Sequence, residues 1–222
     1  MMTDFLILRL QGPMQAWGKH TFEDYRPIER FPTRSGLVGL LGACLGIERQ
    51  DIRSRESLSA SFKMAVRSDF REETEPCMLT DYHTILAARK ADGKRNKNAV
   101  QSYREYMCDT HFTVALSEKQ SAEYSLKQLE NAVKSPCYTP SLGRRSCPLS
   151  RPLFETCVQA NDLVSALQLI SPRQGTIYSE EGKNSLPRMQ VRDVPMSTKQ
   201  RQFATREIFV IQQENAHVSE SV

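Results

Sequence analysis

Phe5-Leu6-Ile7-Leu8-Arg9-Leu10 is a short apolar run, broken by one arginine and ended by Gly12-Pro13. A run of this length without a helical period suits a buried first strand. It falls far short of the ~20 apolar residues that span a membrane. Asp4 also breaks the basic start a secretory signal needs. The expected compartment is the cytoplasm, and no membrane partner is expected.

Four further segments set the architecture. Thr33 or Ser35 caps an apolar stretch from Leu37 to Ile47, of helical length. Its glycines at 36, 39, 42 and 46 weaken a free helix, so it is expected to lie flat on a sheet. Phe62-Lys63-Met64-Ala65-Val66-Arg67 alternates like a second strand, and Phe112-Thr113-Val114-Ala115-Leu116 suits a third. Leu126, Leu129, Ala132 and Val133 mark a helix face closed by Pro136. Strand–helix–strand, then strand–helix, is the order of an α+β, ferredoxin-like (RRM-like) unit. Its fourth strand is placed near Cys137-Tyr138.

Residues 70–110 are too long for a hairpin loop. Residues 78–110 are expected to form an arm outside the core, with Leu79–Thr84 and Tyr103–Met107 as paired flanks. The middle is cationic, with Arg89, Lys90, Lys94, Arg95, Lys97 and Arg104 against Asp92 and Glu105. The segment from 148 is proline-rich, with short strands such as Ile208-Phe209-Val210-Ile211. The expected division is 1–147 for the main domain and 148–222 for a small β-rich appendage.

A formal net charge of +4 is only mildly basic, so the distribution of charge has to argue for nucleic acid. Arg26, Arg30, Arg34, Ser35 and Gly36 gather at the start of the first helix. Free N–H groups and the helix dipole suit a phosphate there, although solvated arginines beside a capped helix fit the same residues. Gly143-Arg144-Arg145, with Tyr138 upstream, offers a close-approach turn, two forked donors and a ring. A plain basic loop is the other reading. Trp17, Tyr25, Phe31, Tyr82, Tyr103 and Tyr106 lie outside the strand cores as base platforms, half or more of them serving as packing.

Catalytic patterns are missing from the sequence. There is no Gly-x-Ser-x-Gly, His-Glu-x-x-His or phosphate-binding Walker loop. His20 and His83 are the only candidates for ribonuclease acid–base work. Six cysteines, at 44, 77, 108, 137, 147 and 157, lack metal-knuckle spacing and are expected to be reduced and mostly buried. Neither a metal nor a cofactor is expected.

Six blocks, in order, carry a resemblance: FLILRLQGPMQAWG, RFPTRSGLVGLLGACLGI, LTDYHTILAARK, YREYMCDTHFTVAL, YTPSLGRRSCPL and RQFATRE. They resemble the CasD family of type I-E CRISPR Cascade subunits, within the RAMP superfamily. The resemblance implies a ferredoxin-like core, a β-hairpin thumb and a C-terminal β appendage. It also implies a non-catalytic subunit that caps the crRNA 5′ handle, with the thumb at the handle–spacer junction. Its partners would be the Cascade backbone subunit and the large PAM-reading subunit, with target DNA met only through the complex. The candidate RNA-binding residues are Gln15, Trp17, Arg26, Arg34, Ser35, Tyr82, His83, Arg104, Tyr106, Tyr138, Gly143, Arg144 and Arg145. Relatives in another subtype cut precursor RNA, so a metal-independent endoribonuclease is the rival reading. A protein-interaction subunit without RNA contact is the third.

Overall fold

A computed structural model describes residues 2–19, 21, 24–69, 76–88, 93–196 and 202–213. Expectations resting on His20, Arg89, Lys90, Asp92 and the tail past 213 lie outside these residues.

The chain opens with β1 (Thr3–Gln11) and four short strands: β2 (Met14–Gln15), β3 (Trp17–Gly18), β4 (Tyr25–Arg26) and β5 (Ile28–Glu29). Next come α1 (Arg34–Leu45), α2 (Ile52–Ser61), β6 (Phe62–Ser68), β7 (Met78–Ile85), β8 (Val100–Cys108), β9 (His111–Glu118) and α3 (Leu126–Lys134). The chain continues with β10 (Phe154–Ala160), α4 (Leu163–Gln168), β11 (Gly175–Ser179), β12 (Arg188–Pro195) and β13 (Phe203–Gln213).

The strands β10, β1, β9 and β6 lie side by side, each pair antiparallel. With α1 following β1 and α3 following β9, this is an α+β unit in the ferredoxin-like order. The fourth strand is β10, not the Cys137-Tyr138 segment. That segment is occupied elsewhere: Cys137 N donates to Cys44 O at 2.9 Å and Tyr138 N to Ala43 O at 3.0 Å. Both amides satisfy carbonyls at the end of α1, which a helix otherwise leaves open.

Both faces of the sheet are covered. Leu6, Leu8, Leu10, Val66, Phe112 and Val114 pack with Leu37 and Leu41 of α1 and Leu129 of α3. On the other side Phe5, Ile7, Ala65, Ala115 and Ile177 meet Leu163, Ala166 and Leu167 of α4. A strand buried on two faces reads as a continuous apolar run, which is why Phe5–Leu10 does not alternate. Thr33 is the N-cap of α1, its Oγ1 accepting from Gly36 N at 3.3 Å, and Ser35 lies inside the first turn. A Cβ on Gly36 would come within 2.6 Å of the Trp17 ring, so the glycine lets the buried indole lie against the helix.

The segment from 148 was expected as an appendage. It is β-rich, but its strands extend the core sheet on both sides. β10 joins β1, and β11 joins β6 with β13 and β12 beyond, making seven strands. Without them β1 and β6 would present open edges.

The hairpin β7–β8 runs from Met78↔Met107 to Ile85↔Val100, and the expected flanks pair within it. Its base, however, belongs to the core. Ser102, Tyr106 and Met107 are buried, and β8 also pairs with β2 and β4. A strand held on both sides cannot be wholly an external arm. The thiols depart from expectation as well: Cys44 and Cys147 are buried, Cys108 is half-buried, and Cys77, Cys137 and Cys157 are exposed. Two of the exposed thiols sit where chain segments meet solvent beside a strand or helix end, and Cys157 faces out from the edge strand β10. No described helix is long and apolar enough to cross a membrane.

Candidate nucleic-acid interface

Register sorts the side chains of β7, β8 and β4 onto two faces. Tyr103 stands opposite Tyr82 on one neighbour and opposite Tyr25 on the other. Directly opposed residues share a face, so the three rings form a row. All three are about half exposed, and the Tyr82 and Tyr103 centroids lie 5.3 Å apart at 52°. Glu105, two residues along the same face, accepts a hydrogen bond from the Tyr25 hydroxyl. That bond, with some desolvation and the carboxylate's charge, raises the phenol's pKa. The other Glu105 oxygen accepts from Ile28 N at 3.1 Å.

The opposite face gathers arginines, with Asp81 of β7 directly opposed to Arg104. Arg26 and Arg104 are directly opposed on β4 and β8, and Ser102 and Tyr106 flank Arg104 on its strand. Arg144 reaches this face from the Gly143 turn. Its Nη1 donates to Glu105 O at 2.9 Å and its Nη2 to Arg26 O at 3.2 Å. Its guanidinium lies 4.6 Å from the Tyr106 ring centroid. The turn itself requires glycine: Gly143 has φ +89, and a Cβ there would fall 2.0 Å from Ala16 O. Ala16 N donates to Leu142 O at 3.0 Å, which fixes the turn against the strands. Arg145, next along, is exposed and has no partner among the described residues.

Other residues singled out in the sequence serve the interior. Gln15 and Trp17 are fully buried. The Gln15 amide donates to Leu10 O at 3.2 Å and Thr110 O at 2.7 Å, and its oxygen accepts from the Trp17 indole at 3.0 Å. Trp17, Phe31 and Tyr106 are core rings, while Tyr25, Tyr82 and Tyr103 are the exposed half of the aromatic set.

Arg34 is buried too. It pairs with Glu180, lies 5.1 Å from the Phe62 ring centroid and donates to Phe62 O at 2.9 Å. Its backbone N–H, at the start of α1, donates to the Asp193 carboxylate at 2.6 Å. Asp193 is itself held by Arg206 at 2.7 and 2.8 Å. The anion seat expected at this helix start is therefore filled by the chain's own carboxylate. Ser35 is half-buried there, its hydroxyl 3.4 Å from that of Thr33.

His83 and Tyr138 complete the set. His83 faces Ser102 across the hairpin, on the arginine face, with its Nδ1 enclosed and without a hydrogen-bond partner. Tyr138 is exposed at the C-terminal end of α1. The structure thus brings together Arg26, Arg104, Tyr106, Gly143 and Arg144, while Tyr138 is placed by its bond to Ala43 O at the end of α1. The sequence offers Tyr25 and Tyr103 only as members of a general aromatic set, because strand register alone aligns them with Tyr82. Among the described residues, no group of three or more His, Cys, Asp or Glu side chains could hold a metal ion.

Residues 5–211 match the family described as CRISPR-associated protein (Cas_Cas5). The chain belongs to this family. Within the family, it is 51% identical over 216 residues to the CRISPR system Cascade subunit CasD of Escherichia coli (strain K12), covering 95% of this chain and 96% of that one. Among solved structures, a chain of a CRISPR RNA-guided surveillance complex superposes with a TM-score of 0.70 at 28% identity, covering 93% of this chain and 89% of that one. A Cas protein crystal structure gives 0.62 at 27%, covering 94% and 93%.

Proposed function

We propose that this chain is a non-catalytic Cascade subunit that binds and caps the 5′ handle of crRNA. The observation that carries the reading is the direct opposition of Arg26 and Arg104, with Arg144 over Tyr106 beside them. Asp81 of β7 stands opposite Arg104 and balances part of this charge, leaving three arginines against one carboxylate. A phosphate backbone laid along the arginines adds attraction and releases counterions. The exposed tyrosines on the other face offer rings to unstacked bases or to a neighbouring subunit.

Full-length similarity to a Cascade subunit and to a chain of an RNA-guided complex supports the same reading. The finer parts belong to the proposal as well. The β7–β8 hairpin acts as a thumb at the handle–spacer junction. Residues 1–147 carry the RNA contacts, and 148–222 form the β-rich part beside them. The neighbours are the Cascade backbone subunit and the large PAM-reading subunit, with target DNA met only through the complex, in the cytoplasm.

The test is photo-crosslinking of handle RNA to the chain, alone and within the assembled complex. Crosslinks should map to β4, β8 and the Gly143 turn. If the handle is absent from all three, the reading fails. The endoribonuclease reading needs an acid and a base in line with a 2′-OH. Repeat-containing precursor RNA incubated with the pure chain should stay intact. Site-specific cutting lost in His83→Ala would overturn the non-catalytic assignment.

A further inference from the structure

Cys77 and Cys108 face each other where the hairpin leaves the core. Met78 pairs with Met107, and one step further down Cys108 N donates to Cys77 O at 2.8 Å. Directly opposed residues joined by such a bond stand about 5.5 Å apart at Cα. A disulfide spans about 4.4–6.8 Å, so no backbone movement is needed to close one. Beyond the effect of burial, the neighbouring Cys77 thiol also acts on Cys108, helping to raise its pKa. Cys77 is open to solvent, whereas Cys108 is half-buried.

We propose that Cys77 and Cys108 form a reversible redox modification site, oxidised to a cross-strand disulfide by a low-molecular-weight disulfide of the glutathione type. The inference stands independently of the RNA reading. Cys77 is the entry point, because it alone of the two is exposed. Its thiolate attacks one sulfur of the small disulfide, and the first small thiol leaves with one proton. The Cys108 thiolate then attacks the Cys77 sulfur of the mixed disulfide and expels the second small thiol with the other proton. Two protein thiols are oxidised and one small disulfide is reduced, so atoms and electrons balance. Burial, and then the neighbouring Cys77, raise the pKa of the Cys108 thiol, which keeps it from reacting first.

The other paired cysteines lack this arrangement. Cys137 N also bonds to Cys44 O, but the Cys137 sulfur turns toward Gly46, and burial pushes the enclosed Cys44 thiol to about 11. The consequence of a 77–108 bond is mechanical. Just after Cys108 the chain turns through Asp109, at φ +49, into β9. A bond at this point ties β7 to β8 where the hairpin joins the central sheet.

The test uses the full chain in glutathione buffers of graded oxidised-to-reduced ratio, quenched by alkylation and read by peptide mass. The expected product is a linked 77–108 peptide, forming at a lower oxidised fraction than any other cysteine pair. Both sites should lose alkylation and the intact mass should fall by about 2 Da, for two hydrogens. Excess reduced glutathione should reverse it. Cys108→Ser should stop at a mixed disulfide on Cys77, and Cys77→Ser should leave Cys108 alkylatable. If the wild-type chain stops at the mixed disulfide, links another pair first, or keeps both thiols alkylatable throughout, the proposal is overturned.

Discussion

An arginine in a sequence is a cation with five donors, and 30 Lys and Arg residues do not announce which face inward. Arg34 and Arg145 show the range. Arg34 belongs to the phosphate motif at the helix start and is buried against Glu180, while Arg145, from the sharper motif, is exposed on its turn with no partner among the described residues. What decides is the distant carboxylates of Glu180 and Asp193, and sequence separation hid them. Asp193→Ala would strip the α1 amide and Arg206 of their shared acceptor. Breaking a buried pair in this way costs about 3–5 kcal/mol. The urea midpoint should fall accordingly, with an unchanged m-value. The turn supplies a sharper contrast. Arg145→Ala should weaken handle binding about tenfold and lower the salt slope by about 0.7, with the thermal transition unmoved. Arg144→Ala should lower both affinity and stability, because Arg144 also bonds carbonyls of β4 and β8. Equal effects in the two variants would show that the structural difference between them is irrelevant.

At the scale of elements, local signals were legible and non-local pairing was not. Apolar runs located β1, β6 and β9, and the spacing of Leu126 to Val133 located α3, which a Ser125–Gln128 capping box starts. The helix α2 escaped notice because only Leu58 and Ser61 are buried along it, leaving no apolar stripe to read. In the hairpin, the flanks were recognisable but the anchoring of β8 was not. Two-residue strands such as β2 and β4 carry too little pattern to predict. The structure therefore narrows the part of the arm that can be removed. Ile85 and Val100 are opposed, so Asn-Gly in place of residues 86–99 can close the hairpin as a two-residue turn. The shortened chain should melt within about 2 °C of the wild type, since the buried residues Ser102, Tyr106 and Met107 are kept. Co-purification with crRNA and the backbone subunit should fall. Normal assembly would show the tip to be dispensable, and unfolding would show it to be core.

For the whole molecule, the open question is whether the C-terminal strands are an addition or a component. Ending the chain after Leu186 removes β12 and β13 and tests this directly. An appendage could be cut away with the remaining sheet melting as before. The packing gives the opposite expectation. Among the described residues, β13 is the partner of β11 on the side away from β6, so its loss opens an edge next to the core strands. Val191 and Ile208 belong to the main apolar cluster, and losing such buried side chains costs about 1.5–3 kcal/mol each. Asp193 and Arg206 would go as well, leaving the Arg34 amide without an acceptor at the start of α1. That broken network adds about 3–5 kcal/mol. The sum is comparable to the roughly 5–15 kcal/mol that stabilises a typical domain. The truncated chain should therefore lose its cooperative thermal transition, and amides of β6 and β11 should exchange rapidly with solvent. A sharp transition near the wild-type temperature, with β6 still protected, would show that the strands past Leu186 are an addition to a sheet complete without them.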